Sequence, residues 1–120
     1  MNVFARILRG EIPNRTVVDS AHTLAFHDIA PSAPVHVLVI PKGAYVSYDD
    51  FAARAPEAEI VDFTRALGRL ARETGAAPDA GGTGFRMITN AGPDAAQEVP
   101  HMHVHLIGGR PLGRMLQRHE

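Results

Sequence analysis

Apolar and polar positions follow two rhythms along this chain, and the places where the rhythm changes outline its elements. Phe4, Ile7 and Leu8 recur at helical spacing, and Gly10 follows where a left-handed residue closes a helix. This predicts a short N-terminal helix. Residues 16–19 and 23–28 are short runs rich in β-branched and aromatic residues, separated by Ser20, Ala21 and His22, and they read as a hairpin. Pro31 and Pro34 break any regular element before the apolar run 35–40, which ends at Pro41. That run predicts a mostly buried strand whose one polar interior residue is His36.

Ser47 and Asp50 have the spacing of a helix start. The longest helix is expected over residues 56–74: Pro56 suits the first turn, Ile60, Phe63, Leu67 and Leu70 form one stripe, and Gly75 ends it. Arg65, Arg69 and Arg72 occupy the other face. Residues 76–84, rich in Gly, Ala, Pro and Asp, read as a surface excursion, residues 85–90 as a strand and 91–100 as a loop. The last strand is expected over residues 101–107, ended by Gly108, Gly109 and Pro111. The order predicts one α+β domain spanning residues 1–120, with a mainly antiparallel sheet of about five strands.

Composition narrows the function classes. Of the 120 residues, 45% are hydrophobic and 21% charged, enough for a packed core. A formal charge of −1 gives no overall field to attract nucleic acid or an anionic membrane, so any phosphate recognition must be local. The absence of cysteine excludes disulfides, thiolate zinc sites and a cysteine nucleophile. No apolar run approaches the roughly 20 residues of a membrane span, and the opening segment is interrupted by Arg6, Arg9 and Glu11, unlike a secretory signal. A cytoplasmic protein is expected.

Three of the seven histidines stand at 101, 103 and 105, alternating with Met102, Val104 and Leu106. A strand sends alternate side chains to opposite faces, so the three imidazoles share a face while the apolar residues hold the strand on the core. Spacing alone leaves three readings. The first is a half-exposed strand with incidental histidines. The second is a metal site of two histidines completed by Glu98, Asp94 or His36; three ligands from one strand fit poorly, because His101 and His105 would lie about 13 Å apart. The third is nucleophilic: a neutral imidazole attacks phosphorus or carbonyl carbon and a neighbour supplies a proton. Gly81, Gly82, Thr83 and Gly84 lack the lysine of a phosphate-binding loop.

His101-Met102-His103-Val104-His105-Leu106-Ile107 resembles the signature of the histidine-triad nucleotide-binding proteins. The resemblance runs along nearly the whole chain. Phe4-Ala5-Arg6-Ile7, Gly10-Glu11-Ile12-Pro13, Ala25-Phe26-His27-Asp28-Ile29, Pro34-Val35-His36, Val39-Ile40-Pro41-Lys42, Asn90, Gln97-Glu98-Val99 and Leu106-Ile107-Gly108-Gly109-Arg110 occur in the order of the Hint branch. The resemblance implies a metal-independent hydrolase of purine nucleoside phosphoramidates that uses no cofactor and works through a nucleotidyl-histidine intermediate. It implies His103 as nucleophile, His105 at the phosphate, and His101 and His36 completing the network. It also implies a base pocket of Phe4, Ile7, Phe26 and Ile29, with His27 in the same nucleotide-binding segment and Asp28 accepting from the ribose. Asn90, Ala96, Gln97 and Glu98 would surround the phosphate and leaving group.

Three departures from the family pattern stand out. Ala96 replaces a common glycine, Glu98 places a carboxylate near the phosphate, and Asn2 and Ala5 stand where some relatives have zinc-binding cysteines. The resemblance further implies a homodimer, formed through the long helix and an edge strand, and a tail over residues 110–120 that reaches the partner's pocket. Two other functions remain open: a dinucleoside polyphosphate hydrolase of the same family, with Arg110, Arg114 and Arg118 supplying charge, and a nucleotide-binding regulatory module.

Overall fold

Asn2 starts the first helix, α1 (Val3–Leu8), because its side-chain carbonyl accepts from the Ala5 amide at 2.8 Å. Gly10 then takes the left-handed conformation, with φ +77°. The computed structural model describes residues 2–116, so the last part of the expected tail, residues 117–120, lies outside the described residues. Beyond α1 the chain forms β1 (Thr16–Asp19), β2 (Thr23–His27), β3 (Val35–Pro41), α2 (Tyr48–Arg54), α3 (Glu57–Glu73), β4 (Phe85–Ile88) and β5 (Val104–Gly108). Single 3-10 turns occupy Pro78–Ala80 and Pro93–Ala95. The five strands form one antiparallel sheet in the order β1-β2-β3-β5-β4.

The period of two divides the sheet into a structural face and a chemical face. Ala25, Val37, Val39, Val104 and Leu106 pack with Phe51 of α2 and with Phe63 and Leu70 of α3. Leu24, Phe26, Leu38 and Ile40 face the other way and pack with Phe4 of α1, with Ile7 and Leu8 alongside. Register confirms the division, since Leu38 stands opposite both Phe26 and His105, while Val39 stands opposite Ala25 and Val104.

Asp62 of α3 fastens the helix to the hairpin turn. Its carboxylate accepts from Ser20 Oγ at 2.7 Å, Thr23 Oγ1 at 2.8 Å and the His22 amide at 3.1 Å. Burial alone would raise its pKa, but these three bonds outweigh burial and hold it below the ordinary carboxylate value.

The structure corrects the sequence reading in three places. Pro56 precedes α3 as its cap residue rather than sitting in its first turn. Segment 76–84 is more than a surface excursion, because Ala76 and Ala77 are buried and a Cβ on Gly82 would meet the Gly75 carbonyl oxygen at 2.1 Å. The last strand starts at Val104, not His101. Upstream of Val104 the chain leaves the ladder: the Met102 amide donates to the Tyr45 carbonyl at 2.8 Å instead of to β3. Side chains still alternate there, with Met102 in the helix-covered core and His101 and His103 on the Phe4 side.

Candidate active site

Four histidines converge on the chemical face because three short segments deliver them. His36 sits inside β3, His105 inside β5, and His101 and His103 on the extended segment leading into β5. His36, His101 and His103 are buried and His105 half-buried. The rings of His103 and His105 are 5.2 Å apart, as are those of His36 and His105. The Phe4 ring stands edge-on to His103 at 4.9 Å and to His101 at 6.1 Å.

Each ring is held by a partner that fixes its proton. His103 Nδ1 lies 2.8 Å from the His101 carbonyl, which can only accept, so Nδ1 carries the hydrogen and Nε2 keeps its lone pair. His101 Nε2 donates to the Pro41 carbonyl at 3.1 Å. The Ser32 amide donates to His36 Nδ1 at 3.0 Å, so His36 protonates Nε2, which donates to His105 Nδ1 at 2.9 Å. By the same logic His105 carries its proton on Nε2. Two unlike nitrogens result: a bare one on His103 and a hydrogen-bearing one on His105.

Electrostatics favour the neutral forms of His105 and His101. Burial lowers the pKa of His105, neighbouring His103 and His36 lower it further, and Asp28 opposes them. Burial also lowers His101 against the bond to Pro41, with His103 adding to the effect. Asp28 Oδ2 lies 3.5 Å from His36 Nε2, and its Oδ1 accepts from the Ala30 amide at 2.8 Å.

Asp28, His36 and His105 have metal-ligand atoms within 4.8 Å of one another. Their chemistry fits an ion poorly, because His36 offers a protonated Nε2 while its lone pair on Nδ1 is taken by Ser32. Glu98 and Asp94 do not join this group.

The remaining expected residues divide. Phe4 and Phe26 meet edge to face at 6.0 Å with Ile7 beside them, a contiguous apolar wall next to His103. Ile29 is not part of it: the turn closed by Asp28 directs this side chain outward, 100% exposed. His27 pairs with Val37, so alternation places its ring on the structural face, away from the histidine network. Asn90 is half-buried just beyond β4, and Glu98 is exposed. Gln97 is a brace: its amide donates to the carbonyls of Val46 at 2.6 Å and Val99 at 3.1 Å and accepts from the Gly92 amide at 3.0 Å. Ala96 has φ +56°, and it is the one described residue other than glycine with positive φ. Ser32 was invisible in the sequence, because it acts through its backbone amide.

Fold and histidine geometry together define a HIT domain. The chain belongs to the HIT domain family, whose model matches residues 9–112. It is 59% identical to a 13.2 kDa HIT-like protein of Azospirillum brasilense over 98% of this chain and 93% of that one. It is 39% identical to the purine nucleoside phosphoramidase of Escherichia coli K12, over 95% of this chain and 92% of that enzyme. Among solved structures, a histidine triad protein from Clostridium difficile superimposes with a TM-score of 0.79 at 36% identity, covering 95% of both chains. A HIT family hydrolase from Clostridium thermocellum gives a TM-score of 0.79 at 34% identity, covering 96% of both.

Proposed function

We propose that this protein is a purine nucleoside phosphoramidase of the Hint branch, cleaving the P–N bond of adenosine or guanosine 5'-phosphoramidates without a metal or other cofactor. The observation that carries this reading is the pairing of His103, whose Nε2 keeps a lone pair, with His105, whose Nε2 bears a hydrogen. A site that merely binds phosphate needs donors and gains nothing from a bare nitrogen beside them. Covalent catalysis needs both.

In the first step His103 Nε2 forms a bond to the α-phosphorus, the bond from phosphorus to the amine breaks, and the amine leaves carrying a proton from solvent or a neighbouring imidazolium. In the second, water forms an oxygen–phosphorus bond, the bond to His103 breaks, the nucleoside monophosphate departs, and the water proton returns to solvent. The bonds made and broken in the first step are both P–N, so the intermediate need lie little above the substrate. The His103–His101 carbonyl bond fixes the attacking nitrogen and stabilises positive charge on the ring as the new bond forms. His105 Nε2–H is suited to a phosphate oxygen. Phe4, Ile7 and Phe26 offer the base an apolar wall, and Asp28 retains free lone pairs for ribose hydroxyls.

The name of the Escherichia coli relative supports this reading over a dinucleoside polyphosphate hydrolase. Of the three arginines expected to serve a nucleotide leaving group, Arg110 instead spends its guanidinium on the Ser32 and Pro111 carbonyls. A homodimer in the cytoplasm belongs to the same proposal. No described helix is long and apolar enough to cross a membrane. The test is incubation with an adenosine 5'-phosphoramidate after treatment with a chelator: release of amine and AMP is expected. Nucleotide binding without turnover would instead make the protein a regulatory module, and turnover restored only by zinc would return the metal reading.

A further inference from the structure

The segment that carries Ser32 has an anchor outside the site. Arg110 lies just past β5; its guanidinium donates to the Ser32 carbonyl at 2.6 Å and to the Pro111 carbonyl at 2.8 Å. The amide of the same Ser32 donates to His36 Nδ1 at 3.0 Å, and His36 passes a hydrogen bond to His105 at 2.9 Å. Arg110 is brought there by Gly109, whose φ of +90° turns the chain against Pro34; a Cβ on Gly109 would lie 2.9 Å from the Pro34 Cβ.

Apart from the Ala30 amide bonded to Asp28 at 2.8 Å, loop 29–34 has little else to hold it. Ile29, Ala30, Pro31, Ser32 and Pro34 are exposed, leaving Ala33 as its buried residue. A segment with so little apolar burial opens readily unless a specific bond closes it.

We propose that Arg110 is a positioning residue: by holding the Ser32 carbonyl it aims the Ser32 amide at His36 and so sets which ring nitrogens of His36 and His105 carry hydrogen. A neutral imidazole has two tautomers, and the bond made at one nitrogen selects between them. With the Ser32 amide withdrawn, His36 can carry its hydrogen on Nδ1. Its Nε2 must then accept, and His105 must donate from Nδ1. The open nitrogen of His105 becomes a lone pair, which repels a phosphate oxygen instead of binding it. One exposed guanidinium thus biases the polarity of two rings, beside Asp28, whose Oδ2 lies 3.5 Å from His36 Nε2 and also favours a hydrogen there.

The test compares the full-length protein with Arg110→Gln and Arg110→Lys, changes at an exposed side chain that leave the core intact. Nitrogen NMR of labelled histidine reads each ring's tautomer, and amide exchange reads Ser32. In the wild type, His36 and His105 are expected to show a protonated Nε2 and a bare Nδ1. In Arg110→Gln both rings shift toward mixed tautomers and Ser32 exchange accelerates, while Arg110→Lys, which keeps a cationic donor, restores much of the wild-type pattern. Wild-type ring shifts and Ser32 exchange in Arg110→Gln would overturn the proposal.

The accompanying rate effect rests on the phosphoramidase reading: kcat should fall about tenfold in Arg110→Gln with KM little changed, as for loss of a group that orients a reacting residue. If no variant turns over a phosphoramidate while the tautomers shift as described, that reading fails and the positioning role stands.

Discussion

His36 and His105 meet at 2.9 Å although they are not register partners: His36 stands opposite Ile107, and His105 opposite Leu38. They are diagonal neighbours on one face of the two central strands, a separation of about 7–8 Å between backbones that paired imidazoles can close. The contact therefore exists only in one register of the sheet. It also leaves two open ring nitrogens side by side, Nε2 of His103 with a lone pair and Nε2 of His105 with a hydrogen.

Replacement of His103 by asparagine should lower phosphoramidate turnover by about 1,000-fold or more while nucleotide affinity stays within a few-fold of wild type. An amide fills part of the ring's space but forms no phosphorus intermediate. Steady-state rates and calorimetric titration with AMP separate the two effects. Near-normal turnover, or a trapped adduct on His101 or His105, would assign the nucleophile elsewhere.

Stability should fall on mild acidification. His101 and His105 titrate below the ordinary histidine value of 6.5 in the folded protein. Between that value and their folded pKa values the unfolded chain binds more protons, so stability rises with pH. Their contribution is fully present above about pH 6.5 and is lost as pH falls through the folded values. Thermal melts should show a lower Tm at about pH 5.5 than at about pH 7.5, and His101→Gln should shrink the difference. An equal pH response in wild type and His101→Gln would contradict the assignment.

Asp62→Ala should destabilise the fold by about 2 kcal/mol, since it strands the fully buried Thr23 hydroxyl and the His22 amide. Denaturant titration measures this directly. A loss below about 0.5 kcal/mol would mean that water replaces the carboxylate.

Ala96 occupies left-handed backbone that costs an L-residue about 1–2 kcal/mol. Glycine there relieves the strain but adds about 0.5–1 kcal/mol of unfolded-state entropy. Ala96→Gly should thus leave Tm unchanged or raise it, whereas Ala95→Gly should lower it. A clear drop for Ala96→Gly would show that the alanine methyl contributes contacts.

β4 closes one edge of the sheet with Phe85, Met87 and Ile88 exposed, beside a groove of about 340 Å³ lined partly by Tyr48, Ile60, Leu67 and Met87. A second copy of the chain is the expected occupant. Sedimentation should give a dimer mass that Met87→Glu reduces to monomer. A monomeric wild type at micromolar concentration would refute the dimer and leave the histidine chemistry untouched.

Much of this was legible from periodicity. Every strand and main helix falls close to its predicted place, because the apolar rhythm responds to the same two sheet faces that the structure forms. The shared face of the three histidines was legible too, although the segment 101–103 proved extended rather than paired. What sequence could not reveal depends on backbone groups and distant partners. Ser32 works through an amide that every residue except proline possesses. Gln97 spends its polar groups on backbone of its own loop and of distant Val46, and Ile29 is turned away by a bond between Asp28 and Ala30. Such roles carry no residue-type signal.

Val104, His105 and Leu106 in one central strand carry the core and the chemistry on opposite sides. A slip of β5 by a single residue would bury an imidazole in the helix-covered core and turn valine and leucine toward the other histidines, forfeiting both at once. A sheet with β5 out of register loses both together. On the phosphoramidase reading, the fraction of molecules that turn over substrate should equal the fraction with β5 in register, so active-site titration of a refolding mixture would double as a count of correctly paired sheets.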